Sequence, residues 1–206
     1  RSVSEDIHLD RVRAKNLSLP QRAVFLDRDG TINEYRGFLT DIEEFHLLPG
    51  AGEAIRLFNR TGVLVILVTN QPVIARGEVT EEQLEEIHRK METLLGAEGA
   101  YVDAIYYCPH HPDSGFAGEI PELKRACDCR KPKPGMLLQA ADDYHIDLAV
   151  SWMVGDQKTD IQAGKNAGCH TAGVYGAQGE NGTFPDLLSF ARWFSEQDGP
   201  PRKCLL

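Results

Sequence analysis

Residues 23–31 read AVFLDRDGT, a short apolar run that passes directly into two aspartates, a glycine and a threonine. The run from Ala23 to Leu26 has the length and composition of a buried β-strand. Asp27 and Asp29 are two residues apart, so they lie on the same side of an extended chain at the end of that strand. An ordinary surface turn is the alternative interpretation, because aspartate and glycine are common turn residues.

The chain on either side of this segment alternates short apolar runs with amphipathic stretches. Besides the first strand, we predict strands at 63–68, 102–107, 149–154 and 171–175 and helices at 53–60, 80–95, 134–144, 159–167 and 184–194. Such alternation is typical of an α/β fold, here a doubly wound and mostly parallel sheet with helices on both faces. Ligands bind such sheets beyond the carboxyl ends of the strands.

Length and composition are those of an ordinary globular protein. The 206 residues are 42% apolar and 26% charged, which is enough for one domain with a substantial core. We assign that domain to residues 21–206. Residues 1–20 are densely charged, and we expect them to be a tether that could join the domain to a fused enzyme or pathway partner upstream.

Charge and hydropathy restrict the partners. The chain has 22 basic and 31 acidic residues, a net charge of −9, which argues against non-specific nucleic-acid binding. The longest apolar run, residues 63–68, is far too short to cross a membrane. We therefore expect a cytoplasmic, monomeric protein that acts on a small molecule, with no nucleic acid and no membrane as partners.

Polar residues also follow two of the other predicted strands. Thr69 comes directly after the second strand, and Asp156 follows the fourth, with Asp160 four residues later. We expect these side chains to converge on Asp27 and Asp29, since all of them follow strands of one parallel sheet. Carboxylates beside hydroxyl groups suit a hard divalent cation, usually Mg2+ when phosphate is present.

The phosphate chemistry follows from what the strand ends contain. Neither G-x-x-x-x-G-K-[ST] nor G-x-G-x-x-G follows any predicted strand, so a nucleotide-binding loop is not indicated. An aspartate can instead act as the nucleophile and form an aspartyl-phosphate. Asp27, at an ordinary pKa of about 3.9, would be ionised at neutral pH. Asp29 would protonate the leaving oxygen and later accept a proton from water, which requires neighbours that raise its pKa.

Three cysteines and a histidine predict a zinc site in the loop 108–129. Cys108 and His110 form one pair, and Cys127 and Cys129 form a second pair with the same spacing. The long segment between the pairs has few core-type residues, so a tetrahedral Zn2+ with four protein ligands would serve as its core. His111 is the alternative histidine, and the symmetry of the spacing favours His110. Reduced cysteines without a metal are the alternative to the site itself.

Arg130 and Lys131 follow the last cysteine directly. A cation this close to a metal ligand loses little freedom when it binds phosphate, and the planar guanidinium of Arg130 suits a second phosphate. An ordinary solvent-facing basic pair is the alternative.

Four motifs, in order over residues 23–176, resemble the signature motifs of the haloacid dehalogenase (HAD) superfamily of phosphatases. They are Asp27-Arg28-Asp29-Gly30-Thr31, then Thr69, then Lys131, then Gly155-Asp156 with Asp160. The resemblance implies a nucleophile at Asp27, an acid/base at Asp29, phosphoryl-holding residues at Thr69 and Lys131, and Mg2+ ligands at Asp27, Asp29 and Asp156. It also implies that Asp160 supports the metal shell or Lys131.

The cysteine loop and its continuation narrow the resemblance. Cys-x-His and Cys-x-Cys followed by Arg-Lys-Pro is similar to the loop of the bacterial D-glycero-D-manno-heptose 1,7-bisphosphate phosphatases, and a related loop occurs in histidinol-phosphate phosphatases. Residues 69–77, TNQPVIARG, resemble the heptose family's T-N-Q-S-G-I-A-R-G, with Pro72-Val73 in place of Ser-Gly. This implies removal of one phosphate, at C7, from a heptose bisphosphate. A phosphatase of another metabolite, such as histidinol phosphate, and a non-catalytic zinc-loop binding module are the alternatives.

No large cap domain is predicted, so short loops should close over the substrate. We expect contacts to the sugar bisphosphate from Tyr35, Arg36, Phe38, Asn70, Gln71 and Arg130. For Tyr35 and Phe38, plain covering structure is the alternative.

Overall fold

A parallel β-sheet flanked by helices forms the centre of the molecule. The computed structural model describes residues 19–198, so residues 1–18 of the predicted tether lie outside the described residues. The strands are β1 (Ala23–Leu26), β2 (Leu64–Asn70), β3 (Ala104–Cys108), β4 (Trp152–Gly155), β5 (His170–Gly173) and β6 (Gly182–Thr183). Their spatial order is β3-β2-β1-β4-β5-β6, with parallel pairing at every step. The predicted α/β class is confirmed.

Helices cross between the strands. They are α1 (Ala51–Thr61), α2 (Pro72–Ala75), α3 (Glu81–Ala97), α4 (Gly135–Tyr144), α5 (Lys158–Ala167) and α6 (Leu187–Asp198), with short 3-10 turns at Ile42–Glu44, Pro121–Leu123 and Leu148–Val150. Thr80 begins α3 with a capping box, in which its side chain accepts from the Gln83 N–H. The sequence analysis did not predict α2, which is a single turn.

Two predicted elements begin three residues later than expected, each for a local reason. The strand predicted from residue 149 begins at Trp152, because the Asp147 carboxylate accepts from the Ala149 N–H and caps a 3-10 turn there. The helix predicted from residue 184 begins at Leu187, because Pro185 disfavours helical geometry at Phe184. The Asp186 carboxylate then accepts from the Ser189 N–H and caps the first turn.

Alternate residues of the central strands build two apolar cores on opposite faces. Val24 and Leu26 of β1 belong to the core formed with α1, α3 and α6. Ala23 and Phe25 belong to the core formed with α4 and α5. Phe25 is fully buried, so its truncation to alanine should cost about 3–5 kcal/mol of folding free energy.

The register of the sheet decides where the polar residues meet. Leu26, the last residue of β1, pairs with Leu67 of β2 on one side and Val154 of β4 on the other. The strand order reverses at β1, since β2 follows it on one side and β4 on the other. Residues just after these three strands therefore share one edge, which is where ligands bind in open α/β sheets. No helix between residues 19 and 198 has the length and apolarity needed to cross a membrane.

Candidate active site

Three aspartates meet at this edge and are called here the acidic cluster: Asp27, Asp156 and Asp160. Each offers a carboxylate oxygen within 4.8 Å of those of the other two. Asp27 and Asp160 are buried and Asp156 is partly buried. The structure thus brings together Asp27 and Asp156, for which the resemblance implied a nucleophile and a Mg2+ ligand, although they are 129 positions apart in the chain.

Lys131 supplies the positive charge of the cluster. Its Nζ lies 2.7 Å from Oδ1 of Asp27 and 2.7 Å from Oδ1 of Asp160, and it donates to the Val68 carbonyl. Burial by itself would lower the pKa of Lys131. The negative charges of Asp160 and Asp27 outweigh that effect and raise the pKa. Lys131 is therefore a buried ammonium held at a fixed point beside Asp27.

Asp27 does not keep the ordinary pKa that the sequence analysis assumed. Burial raises the pKa of Asp27 to about 7, an effect that the charge of Lys131 opposes and the charge of Asp160 strengthens. Three clustered carboxylates and one ammonium leave an excess of negative charge at this largely buried site. A bound cation would remove that excess and favour the ionised form of Asp27.

The Asp29 carboxylate is bound by its own set of donors outside the acidic cluster, and its pKa differs from the one expected. Its carboxylate accepts from Arg28 Nε (3.0 Å) and Nη2 (2.9 Å), from Asn33 Nδ2 (3.0 Å) and from Gln71 Nε2 (2.9 Å). Burial alone would raise the pKa of Asp29, but the Arg28 charge and these hydrogen bonds outweigh it and lower the pKa. The side chain of Asp29 is thus not among the clustered metal-ligand candidates, and its neighbours do not raise its pKa as expected.

Gly30 allows the turn that places Asp156. Its φ of +86° is in the left-handed region, and a Cβ at this position would overlap Oδ2 of Asp156. Asp156 accepts from the Thr31 hydroxyl (3.1 Å) and from Gln157 Nε2 (2.7 Å). Burial raises the pKa of Asp156, which these two donors oppose and Asp160 strengthens.

The end of β2 supplies polar groups that organise the site. Thr69 is fully buried, and its hydroxyl accepts from Gln71 Nε2 at 2.9 Å. The same Gln71 amide donates to Asp29, so it links the end of β2 to the end of β1. Asn70 uses both amide atoms on the backbone of Lys131. These amides are engaged within the protein, so a direct contact of Asn70 or Gln71 with substrate stays a prediction.

The four predicted zinc ligands lie together. Cys129 Sγ is 3.0 Å from Cys108 Sγ, 3.3 Å from Cys127 Sγ and 3.3 Å from Nδ1 of His110. Tetrahedral sulfur ligands at about 2.3 Å from Zn2+ lie roughly 3.8 Å apart, so the set has the donors and nearly the spacing for that ion. His111 is not part of this group, since its Nδ1 accepts from the Asp113 N–H instead.

The loop after β1 and the cysteine loop meet at Arg76, a cation to which the sequence patterns assigned no role. The guanidinium of Arg76 lies 4.3 Å from the ring centre of Phe38 and 4.3 Å from that of Phe116. It therefore joins the loop after β1 to the cysteine loop. Arg76 belongs to the segment TNQPVIARG, but its contacts with the two rings follow from no local pattern, because the rings come from distant segments.

Several residues predicted to contact the sugar bisphosphate lie at the surface near Arg76 and the cysteine cluster. Tyr35 and Phe38 are half-exposed and pack edge to face. Arg36 is exposed and pairs with Glu34 at 2.7 Å. Arg130 donates to the His110 carbonyl, which fixes it beside the cysteine cluster. Burial and the charge of Asp29 raise the pKa of Tyr35, which is consistent with a position over the acidic edge.

The sequence of the chain matches those of known phosphatases. A family model described as HAD-hydrolase-like matches residues 128–183. The D-glycero-beta-D-manno-heptose-1,7-bisphosphate 7-phosphatase of Escherichia coli strain K12 is 48% identical over 141 residues, 68% of this chain and 72% of that protein. The phosphatase of the same name from Pasteurella multocida strain Pm70 is 45% identical over 147 residues, 71% of this chain and 77% of that protein.

Solved structures show the same likeness. The D,D-heptose 1,7-bisphosphate phosphatase from B. bronchiseptica, in complex with magnesium and phosphate, superposes with a TM-score of 0.75 at 35% identity. It covers 86% of this chain and 99% of its own. A putative HAD-like phosphatase from Mesorhizobium loti superposes with a TM-score of 0.78 at 34% identity, covering 89% of this chain and 90% of its own.

Proposed function

The chain belongs to the D-glycero-beta-D-manno-heptose-1,7-bisphosphate 7-phosphatase family of HAD-like hydrolases, and from this premise we propose that it hydrolyses the C7 phosphate of a heptose 1,7-bisphosphate through an aspartyl-phosphate. The observation that carries the mechanism is the position of Lys131 Nζ, 2.7 Å from Asp27 and 2.7 Å from Asp160. A buried ammonium beside a buried carboxylate is suited to receive a phosphoryl group, since it offsets the charge that the transferred group carries.

The acidic cluster fits Mg2+. Its ligands would be carboxylate oxygens of Asp27 and Asp156, a hard donor set that matches the charge excess of the cluster. Bound Mg2+ would neutralise the phosphoryl oxygens and hold the nucleophile ionised. Asp160 is already committed to Lys131 and to the Gln157 N–H, so its part is to hold the lysine and the start of α5.

The first chemical step transfers the phosphoryl group to the protein. A carboxylate oxygen of Asp27 attacks phosphorus, and the bond from phosphorus to the C7 oxygen breaks. Asp29 gives its proton to the departing sugar oxygen. The lowered pKa of Asp29 is no obstacle, because the approach of a phosphate anion raises the pKa of a neighbouring carboxyl. Thr69 and Lys131 hold the transferring group.

The second step releases phosphate. Asp29, now ionised, accepts a proton from a water molecule as the water oxygen attacks phosphorus. The bond between phosphorus and Asp27 breaks, and inorganic phosphate leaves. The hydrogen bonds from Arg28 and Gln71 hold the Asp29 carboxylate in one orientation for both steps.

We further propose that the cysteine cluster holds a structural Zn2+. Four protein donors would fill a tetrahedral ion completely, leaving no open position for chemistry. The ion would fix the segment that carries Arg130 and Lys131, with Arg130 placed for the second phosphate. Tyr35, Arg36 and Phe38 are proposed sugar-side contacts. The cytoplasmic location and the monomeric state stay predictions.

The two alternative functions are less well supported. The relatives compared above carry the heptose phosphatase name rather than that of a histidinol-phosphate phosphatase. A non-catalytic binding module would not need a buried lysine fixed between two aspartates at a strand end.

Phosphate release tests the proposal. The enzyme with Mg2+ is given the α and β heptose 1,7-bisphosphates and histidinol phosphate, and phosphorus NMR identifies the ester that is cleaved. We expect loss of the C7 phosphate, no turnover with EDTA, and no turnover by the Asp27→Asn variant at an unchanged circular dichroism spectrum. Full activity in that variant would refute the aspartyl-phosphate. A preference for histidinol phosphate would refute the substrate.

A further inference from the structure

Arg28, between the two catalytic aspartates, is fully buried and is the largest fully buried side chain in the described part of the chain. Two of its nitrogens, Nε and Nη2, donate to the two oxygens of Asp29 as a fork. The third, Nη1, lies 3.2 Å from Nε2 of His88 on α3. Arg28 therefore connects the proposed acid/base to a helix that contributes nothing else to the site.

The chemistry of the two side chains fixes their roles in this contact. A guanidinium donates hydrogen bonds and has no acceptor, so Nε2 of His88 must be the acceptor and its proton must be on Nδ1. Burial and the charge of Arg28 lower the pKa of His88 to about 3, against a smaller opposing effect of Asp29. His88 is thus a neutral histidine in one tautomer at neutral pH.

The surroundings leave Arg28 no other partner for Nη1 among the described side chains. His88 is itself only 6% exposed, and the ring of Tyr107 lies beside it, with ring centres 6.2 Å apart. A buried donor without an acceptor is costly, so loss of the His88 acceptor would favour a different orientation of the Arg28 guanidinium. Because the guanidinium is planar and rigid, turning it takes the fork out of line with Asp29.

We propose that His88 is a positioning residue for the reaction: by accepting from Arg28 it holds the guanidinium fork that orients the Asp29 carboxylate toward the leaving oxygen. His88 touches neither substrate nor the acidic cluster. The inference rests on the proposed role of Asp29 as acid/base, and it adds a residue from α3 to the machinery.

Three variants of His88 distinguish the loss of its hydrogen-bond acceptor from the loss of its volume. In His88→Gln the amide oxygen reaches about where Nε2 lies, so the contact with Arg28 can form again. In His88→Asn the shorter amide does not reach, and in His88→Leu the acceptor is lost while the volume is kept. Arg89→Gln is the matched control, because Arg89 is the next residue of α3 and is exposed. Among the described residues, its side chain pairs only with Glu85.

The readout is kcat/KM for two substrates with different leaving groups. A sugar alkoxide needs a proton from Asp29 as it departs, whereas p-nitrophenolate leaves without one. We expect His88→Leu and His88→Asn to lose roughly tenfold to a hundredfold on the sugar bisphosphate, part of what general acid catalysis supplies. On p-nitrophenyl phosphate they should lose less than about threefold, and His88→Gln should recover most of the loss on the sugar.

Equal losses on both substrates, or a loss in His88→Gln as large as in His88→Leu, would overturn the proposal, since packing alone would then explain the effect. Wild-type kinetics in all four variants would overturn it as well. Thermal melting of each variant confirms that folded protein is compared. If the wild type cleaves a different alkyl phosphate and not the heptose bisphosphate, the proposed substrate fails, while the same comparison on that alkyl phosphate still decides the role of His88.

Discussion

Asn70 and Lys131, separated by 61 positions, hold each other through two hydrogen bonds: Asn70 Nδ2 donates to the Lys131 carbonyl at 3.1 Å, and the Lys131 N–H donates to Asn70 Oδ1 at 3.0 Å. The pair ties the end of β2 to the segment that follows the cysteine cluster. Because the backbone of Lys131 is fixed in this way, its side chain enters the sheet edge in one direction and reaches Asp27.

Replacing Asn70 with alanine should therefore damage catalysis through Lys131. We expect a fall in kcat of about tenfold to a hundredfold, because small displacements of a catalytic group have effects of this size. Stability should fall by about 1–3 kcal/mol, since a buried backbone group loses its partner. Asn166→Ala is the control, because Asn166 also donates to a carbonyl of this segment, that of Pro132, but from an exposed position. Comparable loss in both variants would argue against a special role for Asn70.

Gly30→Ala tests the placement of Asp156. The alanine Cβ would overlap Oδ2 of Asp156, and the backbone there is in the left-handed region. We expect Asp156 to move and the Mg2+ concentration for half-maximal activity to rise at least about tenfold, the usual effect of disturbing the support of a metal ligand. Gly37→Ala has a similar backbone strain but open space around its Cβ, so it should leave the Mg2+ requirement unchanged. An unchanged requirement in Gly30→Ala would show that Asp156 does not hold the metal.

The features that depend on the order of strands and helices along the chain could be predicted from the sequence. The alternation of strands and helices predicts a parallel sheet, and a parallel sheet brings Asp27 and Asp156 to one edge whatever the loops do. The paired spacing in the cysteine loop likewise predicts its four donors, because short spacing limits where those side chains can point.

The environment of a side chain could not be predicted where it depends on a residue far away in the sequence. The pKa of Asp29 was expected to be raised, but the charge of Arg28 and hydrogen bonds from Arg28, Asn33 and Gln71 outweigh its burial and lower it. The contacts of Arg76 with two rings and of Arg28 with His88 join segments far apart in the chain. Such contacts exist only after the sheet and α3 have packed, so no local pattern contains them.

The cysteine cluster makes a prediction about metal content. Cys129→Ser should lose most of the bound zinc and most of the activity, because Cys129 is close to the other three donors and leads directly into Arg130 and Lys131. Cys169→Ser is the control, since Cys169 lies outside the cluster, and it should keep one zinc per chain. Metal analysis and steady-state kinetics give both results. Zinc-free wild-type protein with full activity would contradict the structural role.

The raised pKa of Asp27 predicts how stability depends on pH when Mg2+ is removed with EDTA. Burial raises this pKa to about 7 in the folded protein, whereas the unfolded chain has the ordinary value near 3.8. Between these two values the folded state binds more protons at Asp27 than the unfolded state does, so raising the pH lowers stability across that window. We expect this loss to be complete only above about pH 7, where both states are ionised.

Asp27→Asn removes the titrating group and should flatten that dependence. The melting temperature of the variant relative to wild type should therefore rise as the pH goes from about 5 to 8, measured in EDTA. Added Mg2+ should stabilise the wild type more than the variant, because a cation bound to the folded state favours it by mass action. If the melting temperatures of the two proteins changed with pH in the same way across this range, Asp27 would not titrate there. Lys131 would then keep Asp27 ionised throughout, against the effect of burial.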